Sequence, residues 1–283
     1  MAHMKIAQLS DIHFFKNNIT LKTFFSKTLL ATLNYYFNRK KNKVEFDIYE
    51  IPKLLKDKGV THIVITGDFT TTSNKYEYAL AKKFLDHLHK EGFKTFIIPG
   101  NHDTYTKKAS LSKIFHEKLE TSKTFKEKSI INEDFTEGFK WIGLDTTIST
   151  PLWSSQGLFS NEIENKLIKL LDSISKDQSI ILVNHFPIES RKHMPFRHQM
   201  LRYKRLKEII ENYPNIKMYI FGHTHLSEII EGKPLKINSG SLTLTKGGSF
   251  HIMDLTKEKV AIQAYSHETG KWEIVNTKEI PFS

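Results

Sequence analysis

A layered α/β fold with two packed sheets is the architecture that this chain of 283 residues predicts. Three observations carry the prediction. Short apolar runs recur, helical spacing fills several gaps between them, and the C-terminal part is rich in strands and poor in helices. Alternation of strand and helix points to a layered sheet whose strands are buried on both faces. The first run is residues 6–9. A helical pattern over 48–58 comes next, closed by Gly59, and then the run 63–66. Residues 76–91 repeat apolar side chains at three- and four-residue spacing up to Gly92, ahead of the run 96–98. The run 141–144 leads to a helical pattern over 161–172, for which Ser160-Asn161-Glu162 supplies a start. The run 180–183, a helix over 201–212 and the run 218–221 complete the alternation. Beyond His225, the stretches 235–238, 249–255, 260–265 and 272–275 read as strands joined by Gly- and Lys-rich turns. No linker, repeat or low-complexity block interrupts the chain, so one domain over 4–283 is expected. Met1-Ala2-His3 reads as a non-native leader ahead of Met4.

Composition narrows the function classes. Hydrophobic content of 39% and charged content of 26% are ordinary for a globular protein. With no cysteine, disulfides and thiolate zinc cages are excluded. No run reaches the length of a membrane span, and no secretory leader is evident. A formal net charge of +11 and a pI near 9.4 favour anionic partners.

The polar residues at the ends of the apolar runs are more specific. Ser10-Asp11-Ile12-His13 closes the first, Gly67-Asp68 the second, and Gly100-Asn101-His102-Asp103 the third. Asn184-His185 and Gly222-His223-Thr224-His225 close two later ones. Asn and Asp after Pro99-Gly100 would pass as turn residues if they stood alone. Repetition at five strand ends argues against that, because ligands of an α/β sheet sit at the carboxyl ends of its strands. Asp11 and His13 are two apart, as are His223 and His225, and in extended backbone such pairs point the same way. Carboxylate, imidazole and amide oxygen suit Mn, Fe or Zn, and a set this large suits two cations rather than one. The remaining histidines His62, His87, His89 and His116 are expected on the surface or on helix faces.

In this order, Asp11-x-His13, Gly67-Asp68, Gly100-Asn101-His102-Asp103, His185 and Gly222-His223-x-His225 resemble the motifs of the calcineurin-like metallophosphoesterases. The resemblance implies a four-layer αββα sandwich, two mixed sheets flanked by helices. It implies two divalent metal ions, manganese first. Asp11, His13 and His225 would hold one, Asn101, His185 and His223 the other, and Asp68 would bridge both. It implies that His102 faces the substrate as proton donor or phosphate contact, with Asp103 placed to orient it. Two cations about 3.5–4 Å apart neutralise phosphate oxygens and activate water for in-line attack.

Two further stretches bear on the substrate. Residues 14–45 form a basic, aromatic insertion in which Leu21, Phe25, Leu29, Leu33 and Phe37 recur every four residues. Such a helix fits a surface for anionic membrane, a lid over an acyl chain, or an extra packed helix. After His185, Arg191, Arg197 and His198 are candidate contacts to a polyanionic substrate, whereas Lys204 and Lys207 read as the wet face of the next helix. Together these features resemble the UDP-2,3-diacylglucosamine pyrophosphohydrolases of lipid A synthesis, in particular the chlamydial type. That implies a lipid-nucleotide substrate at the cytoplasmic face of a membrane. A cyclic-nucleotide phosphodiesterase shares the core motifs and is the alternative. A nuclease fits less well, since the basic residues fall in two places instead of lining one groove. A non-catalytic scaffold would lack ligands that this chain has, and no protein partner is implied.

Overall fold

The computed structural model describes residues 4–17, 29, 32–33, 36, 46–151, 153–189, 194–245 and 247–282. Its first sheet sets β1 (Met4–Leu9), β2 (His62–Ile65) and β3 (Lys94–Ile97) parallel to one another. On the other side of β1 the sheet continues antiparallel through β10 (Ser249–Leu255), β11 (Lys259–Ser266) and β12 (Glu273–Pro281). The second sheet contains β4 (Ile130–Thr136), β5 (Phe139–Leu144), β6 (Ser179–Val183), β7 (Ile216–Phe221), β8 (Ser227–Ile230) and β9 (Leu235–Ser239). Its order is β4-β5-β6-β7-β9-β8, with β5, β6, β7 and β9 parallel and both edges antiparallel.

Side-chain alternation along the strands creates the layers. In β1 and β2, Ile6 and Val64 face Ile181, Val183 and Ile220 of the second sheet, forming the core between sheets. Their neighbours Ala7, Leu9, Ile63 and Ile65 face outward, against α1 (Ile51–Asp57) and α2 (Lys75–Lys90) through Leu55, Phe84 and Leu88. On the far side, Ile180 and Leu182 meet α6 (Asn161–Ser173) and α7 (Tyr203–Asn212) through Leu167, Leu171, Leu206 and Ile210. Three cores separate four layers, in the order helix, sheet, sheet, helix. Each fully buried aliphatic or aromatic side chain contributes about 1.5–3 kcal/mol. Side-chain caps fix the helix starts: Asn74 accepts from the backbone of Tyr76 and Glu77, and Ser160 from Ile163.

The structure also departs from the sequence reading. The stretch 48–58 opens with a 3₁₀ turn over Ile48–Glu50 before α1. Three short helices, α3 (Lys107–Ser112), α4 (Ile114–Lys118) and α5 (Lys123–Lys128), carry no readable period, because each spans too few turns to repeat one. His62 and His116 are buried, not on the surface. His116 lies between Asp145 at 3.1 Å and the Thr121 hydroxyl at 2.8 Å. Most of the 14–45 segment lies outside the described residues. Among those described, no helix is long and apolar enough to cross a membrane.

Candidate metal centre

The ladder between β1 and β2 runs on past both strands, and this continuation builds the site. Thr66 donates its N–H to the Leu9 carbonyl at 3.0 Å, Asp11 to Gly67 at 3.0 Å and His13 to Asp68 at 2.9 Å. Asp11, His13, Asp68, His223 and His225 all adopt left-handed backbone, with φ of 51°, 50°, 55°, 70° and 57°. The paired residues therefore converge through tight left-handed turns, not through the extended backbone that their spacing suggested. Such conformations cost on the order of 1–3 kcal/mol each and persist where surrounding structure over-determines them. Gly67 is obligatory here. A Cβ on it would lie 2.6 Å from the Gly100 nitrogen and 2.8 Å from His185 Nδ1, and its φ is +97°. A Cβ on Gly100 would in turn collide with the Asp68 carboxylate.

One group of donor atoms gathers at Asp11. Its Oδ2 accepts from the His223 N–H at 3.0 Å and the Ser10 hydroxyl at 2.5 Å. Its Oδ1 is buried without a hydrogen-bond donor, 3.1 Å from His225 Nε2 and 3.7 Å from His13 Nε2. His13 Nε2 and His225 Nε2 face each other at 3.1 Å. A second group gathers at Asn101. His185 donates Nδ1–H to the Thr66 carbonyl at 2.7 Å, which leaves Nε2 facing Asn101 Oδ1 at 3.1 Å. His223 donates Nε2–H to the His198 carbonyl at 2.8 Å, which leaves Nδ1 facing the same Oδ1 at 2.8 Å. Asp68 stands between the groups. Its Oδ1 accepts from the His102 N–H at 2.7 Å, while Oδ2 lies 3.6 Å from His13 Nε2 and 3.5 Å from His185 Nε2.

Imidazole nitrogens and carboxylate or amide oxygens crowded this closely need protons or a cation among them to offset their mutual repulsion. The side chains fit one: Asp11, His13 and His225, and likewise Asp11, Asp68 and His185, offer ligand atoms within 4.8 Å of one another. Oxygen and imidazole donors without thiolate suit divalent first-row metals. The electrostatics agree. Burial pushes the Asp11 and Asp68 carboxyls up, but the facing histidines outweigh it and hold both below the usual carboxylate range. Burial would lower His185, yet Asp68 beside it lifts it to about 9. At His223, burial and then repulsion from His185 lower it to about 3. The pocket thus attracts positive charge and resists distributing it over several rings.

His102 lies at the mouth, half-buried. Its Nδ1 donates to the Thr71 carbonyl at 2.6 Å, and its ring stacks on Tyr105 at 5.1 Å and meets His13 edge-on at 4.8 Å. Asp103 does not orient it. That carboxylate turns inward and accepts from Gly100 N (2.9 Å), Phe69 N (3.2 Å), Thr70 N (2.9 Å) and the Thr70 hydroxyl (3.0 Å), clamping two turns together. Burial and the nearby Asp68 raise it to about 7.

Of the candidate substrate contacts, Arg191 lies outside the described residues. Arg197 is exposed and donates Nε–H to His198 Nε2 at 3.2 Å; His198 Nδ1 donates to the Ser155 hydroxyl at 2.5 Å. His198 therefore reaches the site through its carbonyl on His223. The carbonyls of Thr66, Thr71 and His198 fix three imidazoles and left no trace in the sequence. Ser241 and Thr243, which donate to the Asp11 and Ile12 carbonyls at 2.7 and 2.6 Å, sit in a Ser/Thr-rich stretch that could have drawn notice.

The family model for calcineurin-like phosphoesterases matches residues 4–227, and the chain belongs to that family. It is a metal-dependent phosphoesterase with the fold of that family. A probable cyclic nucleotide phosphodiesterase of Coxiella burnetii is 23% identical over 262 residues, covering 93% of this chain and 92% of the relative. Among solved structures, a dimetal phosphatase from Danio rerio superposes with a TM-score of 0.63 at 11% identity, over 99% of each chain. A purple acid phosphatase from yellow lupin seeds superposes with a TM-score of 0.60 at 10% identity, over 99% of this chain and 54% of the other. The last two likenesses speak to the fold alone.

Proposed function

We propose that this protein holds two divalent cations, manganese first, and hydrolyses a phosphodiester or diphosphate bond of a nucleotide substrate. Asp11, His13 and His225 would hold one cation, Asn101, His185 and His223 the other, with Asp68 between them contributing to both. When bound, the pair supplies Lewis acidity that neutralises phosphate charge and makes water nucleophilic near neutral pH. The protein's own side chains do the rest. Thr66 and His198 carbonyls fix the imidazole tautomers, so that the lone pairs point inward. Thr71 holds His102 by Nδ1–H, and in the imidazolium form the ring also carries Nε2–H, the proton it would give to the departing oxygen. The observation that carries the reading is the buried, donor-free Asp11 Oδ1 beside imidazole nitrogens that face one another.

The first substrate reading is the diphosphate of UDP-2,3-diacylglucosamine, cleaved at the cytoplasmic face of an anionic membrane. The basic, aromatic segment 14–45 favours it, as it offers acyl chains a cover and phosphates positive charge. Arg191, Arg197 and His198 belong to this reading as substrate contacts. The second reading is a cyclic nucleotide, favoured by the similarity to the Coxiella burnetii protein. A panel with Mn²⁺ decides between them: UDP-diacylglucosamine, cyclic AMP, a phosphomonoester and single-stranded DNA. Fastest turnover of the lipid nucleotide is expected. Cyclic AMP cleaved far faster would replace the first reading with the second, and no hydrolysis of any member would refute both.

A further inference from the structure

Glu77 is a buried carboxylate that takes no part in the proposed chemistry. It stands in the first turn of α2, yet that turn is already capped, since Asn74 Oδ1 accepts from Tyr76 N at 2.9 Å and Glu77 N at 3.0 Å. Its side chain reaches away from the helix instead. Oε2 accepts from Thr72 N at 2.7 Å and Thr71 N at 3.2 Å, and Oε1 from the Thr72 hydroxyl at 3.0 Å and Lys16 N at 3.4 Å. Asn74 Nδ2 donates to the Lys16 carbonyl at 3.1 Å, so the same helix start also grips the stem of the 14–45 segment. Among the described residues no basic side chain pairs with Glu77, which is fully buried. Burying an unpaired carboxylate is unfavourable unless several donors meet it. Three of those four donors, all but Lys16 N, belong to the loop that presents the Thr71 carbonyl to His102 Nδ1.

We infer that Glu77 is the positioning residue of His102: it fixes the Thr71–Thr72 backbone, and through the Thr71 carbonyl it holds Nδ1–H and sets the aim of the ring. This rests on the reading of His102 as proton donor. A glutamine at position 77 keeps the shape but turns an amide N–H₂ toward backbone donors. The loop then shifts and the Thr71 carbonyl leaves His102. Misplacing a catalytic group by about an ångström is enough to slow the chemical step strongly.

The test compares wild type, E77Q, the milder T72A and H102A, all loaded with Mn²⁺, on two phosphodiesters. A p-nitrophenyl ester departs without needing a proton, whereas a simple alkyl ester needs one. H102A is expected to lose far more on the alkyl ester than on the p-nitrophenyl ester. E77Q should repeat that pattern with a loss in kcat of about 10-fold to 100-fold on the alkyl ester, the usual range for a partner one step behind the reacting group. KM and the p-nitrophenyl rate should stay within about twofold, and T72A should fall between E77Q and wild type. In ¹⁵N-labelled metal-free protein, the His102 Nδ1–H signal should be protected from exchange in wild type and exposed in E77Q. Equal loss on both esters, or no loss in E77Q while H102A shows the leaving-group pattern, overturns the positioning role alone. H102A without any leaving-group pattern overturns the proton-donor reading, and with it the task assigned to Glu77.

Discussion

Two stretches of this chain are about equally rich in chemistry, and the fold treats them in opposite ways. On the crest formed by the ends of β1, β2, β3, β6 and β7, acidic and imidazole side chains converge on one another: Asp11 Oδ1 has no hydrogen-bond donor, and His13 Nε2 faces His225 Nε2. On the flank at 202–207, most of the positive charge is paired within the protein. Arg202 and Arg205 both bind Glu164, the latter at 2.6 Å, and Lys207 lies 3.6 Å from Glu189. Ligand-type side chains gathered by strained backbone suit a bound cation. Compensated charge on a helix face holds the helix in place.

The contrast is broken most forcefully at Asp68. D68A removes the carboxylate that stands between the two groups, and turnover should drop to the uncatalysed background while metal analysis shows the protein depleted. Full occupancy in that variant would contradict the shared role. H102A is expected next, keeping its cations but losing roughly 10²–10⁴ in turnover. Metal loss there, or a near-normal rate, would move His102 from chemistry to ligation or to plain structure.

Stability against pH sharpens the comparison further. Burial raises Glu77 from 4.5 to about 7. Between those values the native state keeps a proton that the unfolded chain has released. Stability contributed at this position therefore falls as pH rises from 4.5 to about 7 and is level above that, by an amount on the order of 3 kcal/mol. Urea unfolding of wild type and E77Q across this range should show the difference shrinking with rising pH; parallel curves would count against the shift. On the flank the effects are smaller. R205A should leave KM for an anionic substrate within about twofold and lower the melting temperature only slightly, because the ion pair is half-exposed. R197A, which has no carboxylate partner among the described residues, should raise KM several-fold. Equal KM in the two variants would erase the distinction drawn between these arginines.

The two stretches also differ in how far they could be read from sequence. The crest was legible because strand ends, glycines and ligand residues fall in one repeating order, and the sheet topology turns that order into proximity. Asp11 to His225 converge even though the left-handed turns that bring them together were not foreseen. The flank was not legible, because Glu164 is some forty positions from Arg202 and Arg205, and charge pairing over such a separation leaves no local pattern. The same holds for Asp103, which looked like a partner for His102 by adjacency and instead clamps the turn at Phe69 and Thr70. Carbonyls that orient rings are invisible for a simpler reason: every residue has one. The layers were readable from alternation and helical spacing, while α3 to α5 and the edge strand β8 were too short to leave a period.

The central claim, that the crest holds a cation pair, is tested most directly by metal stoichiometry after dialysis against Mn²⁺. About two equivalents per chain are expected in wild type and in H102A, with depletion in D68A. One equivalent or none in wild type, or the same occupancy in wild type and D68A, would contradict it.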